Sequence, residues 1–153
     1  MAGRLDPNRA KKILVADDNR VILKSLSHVL QSHGYQVVTA TGGAETIGAV
    51  NHEQPDLILL DLNFPPDTEN FVMPLQDGFQ IMEWLWQMSN ARNTPVIIIS
   101  ADAPDTYQHR ATAGVVASLQ KPLDKTCLLK TIRTALEMPG RARAGDADAR
   151  VDA

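Results

Sequence analysis

Apolar positions along this chain alternate between two rhythms. Short, near-continuous runs at 13–16, 57–60, 96–99 and 115–119 have the Val/Ile/Leu character of parallel strands buried on both faces. Between them, apolar residues recur at helical spacing. Residues 12–16 are expected as a first strand. Asp18 or Asn19 can cap a helix carrying Val21, Ile22, Leu26, Val29 and Leu30 on one side and stopping at Gly34. Residues 35–40 make a second strand, and Gly42-Gly43 turns into a helix over 44–53. The third strand covers 56–60, and Asp77-Gly78 opens a third helix that runs to about Asn90. Thr94-Pro95 starts the fourth strand, and Pro104 sits where a first helical turn accepts proline, opening a fourth helix that ends at Gly114. A fifth strand runs to Leu119. Asp124 then caps a fifth helix with Leu128, Leu129, Ile132, Ala135 and Leu136 on its buried side.

Five strands alternating with five helices imply right-handed crossovers and a doubly wound α/β sheet. In such sheets ligands bind outside the carboxyl ends of the strands. Four runs deliver a chemically useful residue there. The first ends on Asp17-Asp18, the third on Asp61, the fourth on Ser100, and the fifth leads through Gln120 into Lys121-Pro122.

The bulk numbers narrow the class. A chain of 153 residues suffices for one domain with a real core. Its 44% hydrophobic and 22% charged content is that of a globular protein. A net charge of −3 leaves no footprint for nucleic acid. The one cysteine, Cys127, has no internal partner, so a reducing, cytoplasmic setting is expected. All apolar runs are strand-length, so no membrane span is expected. Residues 1–10 read as a flexible lead, 11–138 as the folded domain, and 139–153 as a disordered tail poor in apolar side chains. His28, His33, His52 and His109 share no metal-site spacing.

Asp17, Asp18 and Asp61 in one crevice would repel each other unless a cation sat among them. Oxygen ligands with room for water suit Mg²⁺. Asp61 is the best nucleophile, since carboxylates accept phosphoryl groups as aspartyl phosphates. Lys121 would offer a point charge to a phosphoryl oxygen and Ser100 a hydrogen bond. The Lys121-Pro122 bond is a candidate cis peptide that would aim the lysine inward. Each residue alone has an ordinary structural explanation, as a helix start, a turn or a surface lysine. All of them in order, at the ends of four of the five strands, favour the functional one.

These residues lie in segments that resemble the receiver domain of two-component response regulators. The matching text is Ile13-Leu14-Val15-Ala16-Asp17-Asp18-Asn19, Pro55-Asp56-Leu57-Ile58-Leu59-Leu60-Asp61-Leu62 and Met73-Pro74-Leu75-Gln76-Asp77-Gly78. Pro95-Val96-Ile97-Ile98-Ile99-Ser100-Ala101 and Leu119-Gln120-Lys121-Pro122-Leu123 complete it, so the resemblance spans 11–138. It implies a flavodoxin-like fold with strand order 2-1-3-4-5. It also implies a phosphoacceptor, Asp61, that takes its phosphoryl group from the phosphohistidine of a sensor histidine kinase or a histidine phosphotransfer protein. By the same resemblance Mg²⁺ is held by Asp17, Asp18, Asp61 and the backbone carbonyl of Asn63, while Ser100 and Lys121 grip the phosphoryl group. A downstream target would bind the face made by the fourth helix, fifth strand and fifth helix. A homodimer is a further possible assembly, and such a module is not an enzyme in the ordinary sense.

The chain departs from the pattern in two places. The family's switch aromatic, three residues before the lysine, is Ser118 here. An insertion of nine residues, 64–72, follows the Asn63 position. The third helix carries one apolar stripe from Phe79, Met82, Leu85 and Trp86 and a second from Ile81, Trp84 and Met88. The insertion is therefore expected to fold as a flap over the second stripe. Asn63 and Asp102, two beyond the phosphoacceptor and two beyond the hydroxyl, stand where the family tunes water access to the phosphoryl group. Two other functions compete. An aspartyl-phosphate phosphatase of the haloacid dehalogenase type needs a second Asp where Asn63 stands, which weighs against it. A phosphorylation-independent interaction module has only Ser118 in its favour.

Overall fold

The computed structural model describes residues 10–62, 78–87, 93–101 and 115–137. Five strands, β1 (Lys12–Ala16), β2 (Gln36–Ala40), β3 (Leu57–Asp61), β4 (Val96–Ser100) and β5 (Val115–Gln120), form one parallel sheet in the order β2-β1-β3-β4-β5. Four helices are described: α1 (Arg20–Ser32), α2 (Gly43–Glu53), α3 (Gly78–Gln87) and α4 (Lys125–Glu137). The last of these is the fifth helix of the sequence pattern. The fourth helix expected over 104–114, the insertion 64–72, residues 1–9 of the expected lead 1–10 and the tail 139–153 lie outside the described residues.

Strand alternation divides the core in two. On one face Leu14, Ile58, Leu60 and Ile98 pack with Ile47 and Val50 of α2 and with Ile81, Met82 and Leu85 of α3. On the other, Ile13, Val15, Leu59 and Ile97 pack with Leu23, Leu26 and Leu30 of α1 and with Leu128 and Ile132 of α4. The three central strands are thus covered on both sides, and every residue of β3 and β4 is buried. The edge strands β2 and β5 are only half-buried.

Local chemistry sets the helix bounds near the expected positions. Asn19, not Asp18, caps α1: its side-chain oxygen accepts from the Val21 and Ile22 N–H groups at 2.9 and 3.2 Å. Gly34, with φ +91°, ends the helix where a side chain would be strained. Asp124 accepts from the Cys127 N–H at 3.2 Å at the start of α4.

Two apolar assignments change. The expected stripe of α1 includes Val21, which is 76% exposed. On α3, Ile81 is fully buried together with Met82 and Leu85, whereas Trp84 is 40% exposed. Residues 81, 82 and 85 share one helical face, and 84 is turned away from it. Ile81 therefore belongs to the core side, not to a second stripe with Trp84.

Candidate functional site

Each strand end places its polar residue by backbone pairing. Asp17 follows β1, with its N–H donating to the Ala40 carbonyl at 3.0 Å, and its side chain is fully buried. Asp61 is the last residue of β3 and 2% exposed. Ser100 closes β4, fully buried, opposite Gln120 of β5. The next residue, Lys121, donates its backbone N–H to the Ser100 carbonyl at 2.7 Å. The Gln120 amide donates to the Ala101 carbonyl at 3.2 Å. The Lys121–Pro122 peptide bond is cis.

The side chains of the site converge. The carboxylate oxygens of Asp17, Asp18 and Asp61 lie within 4.8 Å of one another, two of the residues buried and Asp18 exposed. Lys121 Nζ donates to Asp17 Oδ2 at 2.8 Å and stands 3.4 Å from Asp61 Oδ2. Asp17 Oδ1 accepts the Asn19 N–H at 2.9 Å, so the residue that caps α1 also anchors Asp17. Burial is the largest single influence on Lys121 and disfavours its charged form. The hydrogen bond to Asp17 and the charges of Asp61 and Asp17 together outweigh it, and the ammonium pKa lies above the ordinary lysine value.

One ammonium against three carboxylates leaves the pocket negative. Hard oxygen donors, two buried and one facing solvent, fit a small divalent cation that keeps several waters. Of the remaining sequence candidates, Ser118 lies on β5, partly buried and paired with Ile98, whose side chain belongs to the α2/α3 face. Pro122 is exposed beside the site. Asn63 and Asp102 lie outside the described residues.

Sequence reasoning missed a groove of about 630 Å³ beside the site. Val21, Ile22 and Leu26 of α1 form one wall, and Lys121, Pro122 and Leu128 line the other. The signal was present in the width of the α1 stripe: Val21, Ile22, Leu23, Leu26, Val29 and Leu30 are more apolar positions than one buried seam accommodates.

Residues 13–133 match the family model described as the response regulator receiver domain. Protein PilH of Pseudomonas aeruginosa is 32% identical over 126 residues, covering 82% of this chain and 97% of PilH. The transcriptional regulatory protein GlrR of Escherichia coli is 36% identical over 131 residues, 85% of this chain but 27% of that protein. Among solved structures, the chemotaxis protein CheY4 of Vibrio cholerae superposes with a TM-score of 0.69 at 28% identity, covering 83% of this chain and 99% of that one. The receiver domain of the sensor histidine kinase PA1611 of P. aeruginosa, solved with a magnesium ion coordinated in its active-site cleft, shares the fold. Its TM-score is 0.72 at 22% identity, with 85% of this chain and 100% of that one covered.

Proposed function

Because the chain belongs to the response regulator receiver family, and so is a phosphoacceptor signalling module, we propose that Asp61 is the residue that takes the phosphoryl group. The observation that carries this is the position of Asp61. It is a buried carboxylate at the end of a central strand, clustered with two further acids and 3.4 Å from the Lys121 ammonium. An Asp61 oxygen attacks the phosphorus of a partner's phosphohistidine. The new P–O bond forms as the P–N bond breaks, and the departing imidazole nitrogen takes up a proton. Lys121 balances charge on one phosphoryl oxygen, and the Ser100 hydroxyl donates to another.

Mg²⁺ is the cation that this donor set suits, held by Asp17, Asp18 and Asp61 with the Asn63 carbonyl, and it would neutralise phosphoryl charge as the group is transferred. The magnesium ion in the PA1611 receiver domain supports that assignment. Asp17 is held in place by the Asn19 N–H, which leaves exposed Asp18 as the carboxylate on the solvent side.

The phosphoryl donor is a sensor histidine kinase or a histidine phosphotransfer protein in the cytoplasm. The downstream target binds the face of β5 and α4 together with the segment 104–114. A depression of about 200 Å³ lined by Val116, Ala117, Lys130 and Thr131 lies on that face. No described helix is long and apolar enough to cross a membrane. Residues 11–138 form the receiver domain in this reading, with 64–72 inserted before α3.

Incubation with acetyl phosphate and Mg²⁺, followed by intact mass, tests the proposal. Wild type should gain one phosphoryl adduct and Asp61→Ala none. An unmodified wild type would favour a phosphorylation-independent interaction module.

A further inference from the structure

Two consecutive residues at the end of β5 grip two consecutive carbonyls at the end of β4. The Lys121 N–H donates to the Ser100 carbonyl at 2.7 Å, and the Gln120 side-chain amide donates to the Ala101 carbonyl at 3.2 Å. The pairing of β4 with β5 puts both residues in place. Val96 pairs with Val115 but Ile97 with Ala117, so β5 spends one extra residue, Val116, at a bulge. From there the register carries Gln120 opposite Ser100. Lys121 turns its ammonium into the acidic crevice, while Gln120 stays on the exposed rim and reaches across to the first residue past β4. A slip of one residue would send each side chain to the other's side.

The bond from Gln120 acts on the backbone that carries Ser100. Ser100 is the last residue of β4 and fully buried, whereas Ala101 is exposed, so the chain leaves the packed sheet between them. Among the described residues, the Gln120 amide is what holds the Ala101 carbonyl. Resting on the reading of Asp61 as phosphoacceptor, we infer that Gln120 is a positioning residue for phosphoryl transfer. It clips the β4 exit through Ala101 and so keeps the Ser100 hydroxyl aimed before the phosphoryl group arrives. A hydroxyl already in place donates to the transferring group without rearrangement at the moment of reaction. Gln120 works through the main chain and not by contact with the reacting atoms.

An effect that passes through Ser100 must vanish when its hydroxyl is gone. The rate of phosphoryl transfer from acetyl phosphate to Asp61, followed by intact mass at saturating Mg²⁺, tests this as a double-mutant cycle. Gln120→Met keeps the length of the side chain without its donor. It should slow transfer about threefold, the size of effect that one exposed neutral hydrogen bond supplies. In a Ser100→Ala background, itself slower, Gln120→Met should leave the rate unchanged. A purely structural role would instead lower the urea midpoint and slow both backgrounds alike. Equal slowing in both backgrounds, or no slowing in the wild-type background, overturns the clip and leaves the assignment of Asp61 standing. A wild type that gains no adduct from acetyl phosphate overturns both.

A second measurement does not depend on activity in the Ser100→Ala protein. Gln120→Arg restores an N–H donor on a side chain long enough to reach the Ala101 carbonyl, and it should transfer at close to the wild-type rate. A Gln120→Arg protein as slow as Gln120→Met overturns the clip.

Discussion

Lys121 concentrates the site's electrostatics in one side chain. It bonds to one buried carboxylate and neighbours a second, and its pKa lies above the ordinary lysine value despite burial. A folded-state pKa above the unfolded one stabilises the fold fully below the unfolded value, and the contribution fades as pH rises through the folded one. The pairing of Lys121 is therefore intact at neutral pH and is lost only in alkaline solution, above about pH 10.4. The stability difference between wild type and Lys121→Met, from urea unfolding without divalent cations, should be flat between neutral pH and about pH 9 and shrink beyond about pH 10.4. A difference that already collapses near neutral pH would mean that the ammonium is not what the two acids rely on. Asn19 extends the network, because its backbone serves Asp17 while its side chain serves α1.

At the scale of elements, that division of labour in Asn19 can be tested. Asn19→Ala removes both side-chain cap bonds of α1 and should cost about 1 kcal/mol of unfolding free energy. Its backbone N–H to Asp17 remains, so phosphorylation of Asp61 by acetyl phosphate should persist. Elements such as β1, β3 and β4 were legible because strands covered on both faces must be apolar at nearly every position, and their polar ends then stand out as Asp17, Asp61 and Ser100. Lys121 was legible for the same reason, one residue beyond β5. The helices were harder to read, since periodicity shows which residues share a side but not how far a neighbour covers it. Val21 sits in the α1 pattern and yet borders the groove, because the flanking wall comes from Pro122, Leu123 and Leu128, about a hundred residues away in sequence. Ile81 and Trp84 parted on α3 for a related reason. Apolar character alone does not reveal that packing on the sheet takes only the side holding Ile81, Met82 and Leu85. Which nitrogen held Asp17 was also hidden, since a backbone donor leaves no mark in side-chain identity.

Across the whole molecule, the site is split between a rigid interior and one free edge. Asp17, Asp61 and Ser100 stand at the ends of strands in the sheet's centre, where close packing on both faces resists deformation. Lys121 alone follows an edge strand, tied to β4 through the Ser100 carbonyl at 2.7 Å. Any rearrangement of the phosphoryl grip has its softest outlet through β5 and α4, the face proposed for the target. Ser118 lies on that path, opposite Ile98, with a side chain too small to swap between inward and outward packing as an aromatic ring would. Coupling must then run through the backbone of β5, which sets its size at the weak end of allosteric effects, about fivefold in affinity. Target affinity measured with and without beryllofluoride, a phosphoryl mimic on Asp61, should differ by about that factor. If coupling runs through the backbone of β5, Ser118→Ala should leave the factor unchanged. A factor abolished by Ser118→Ala would assign the signal to the hydroxyl itself. Equal affinities in wild type would mean that the sheet edge does not report on Asp61, and that phosphoryl transfer itself, rather than target binding, is the module's output.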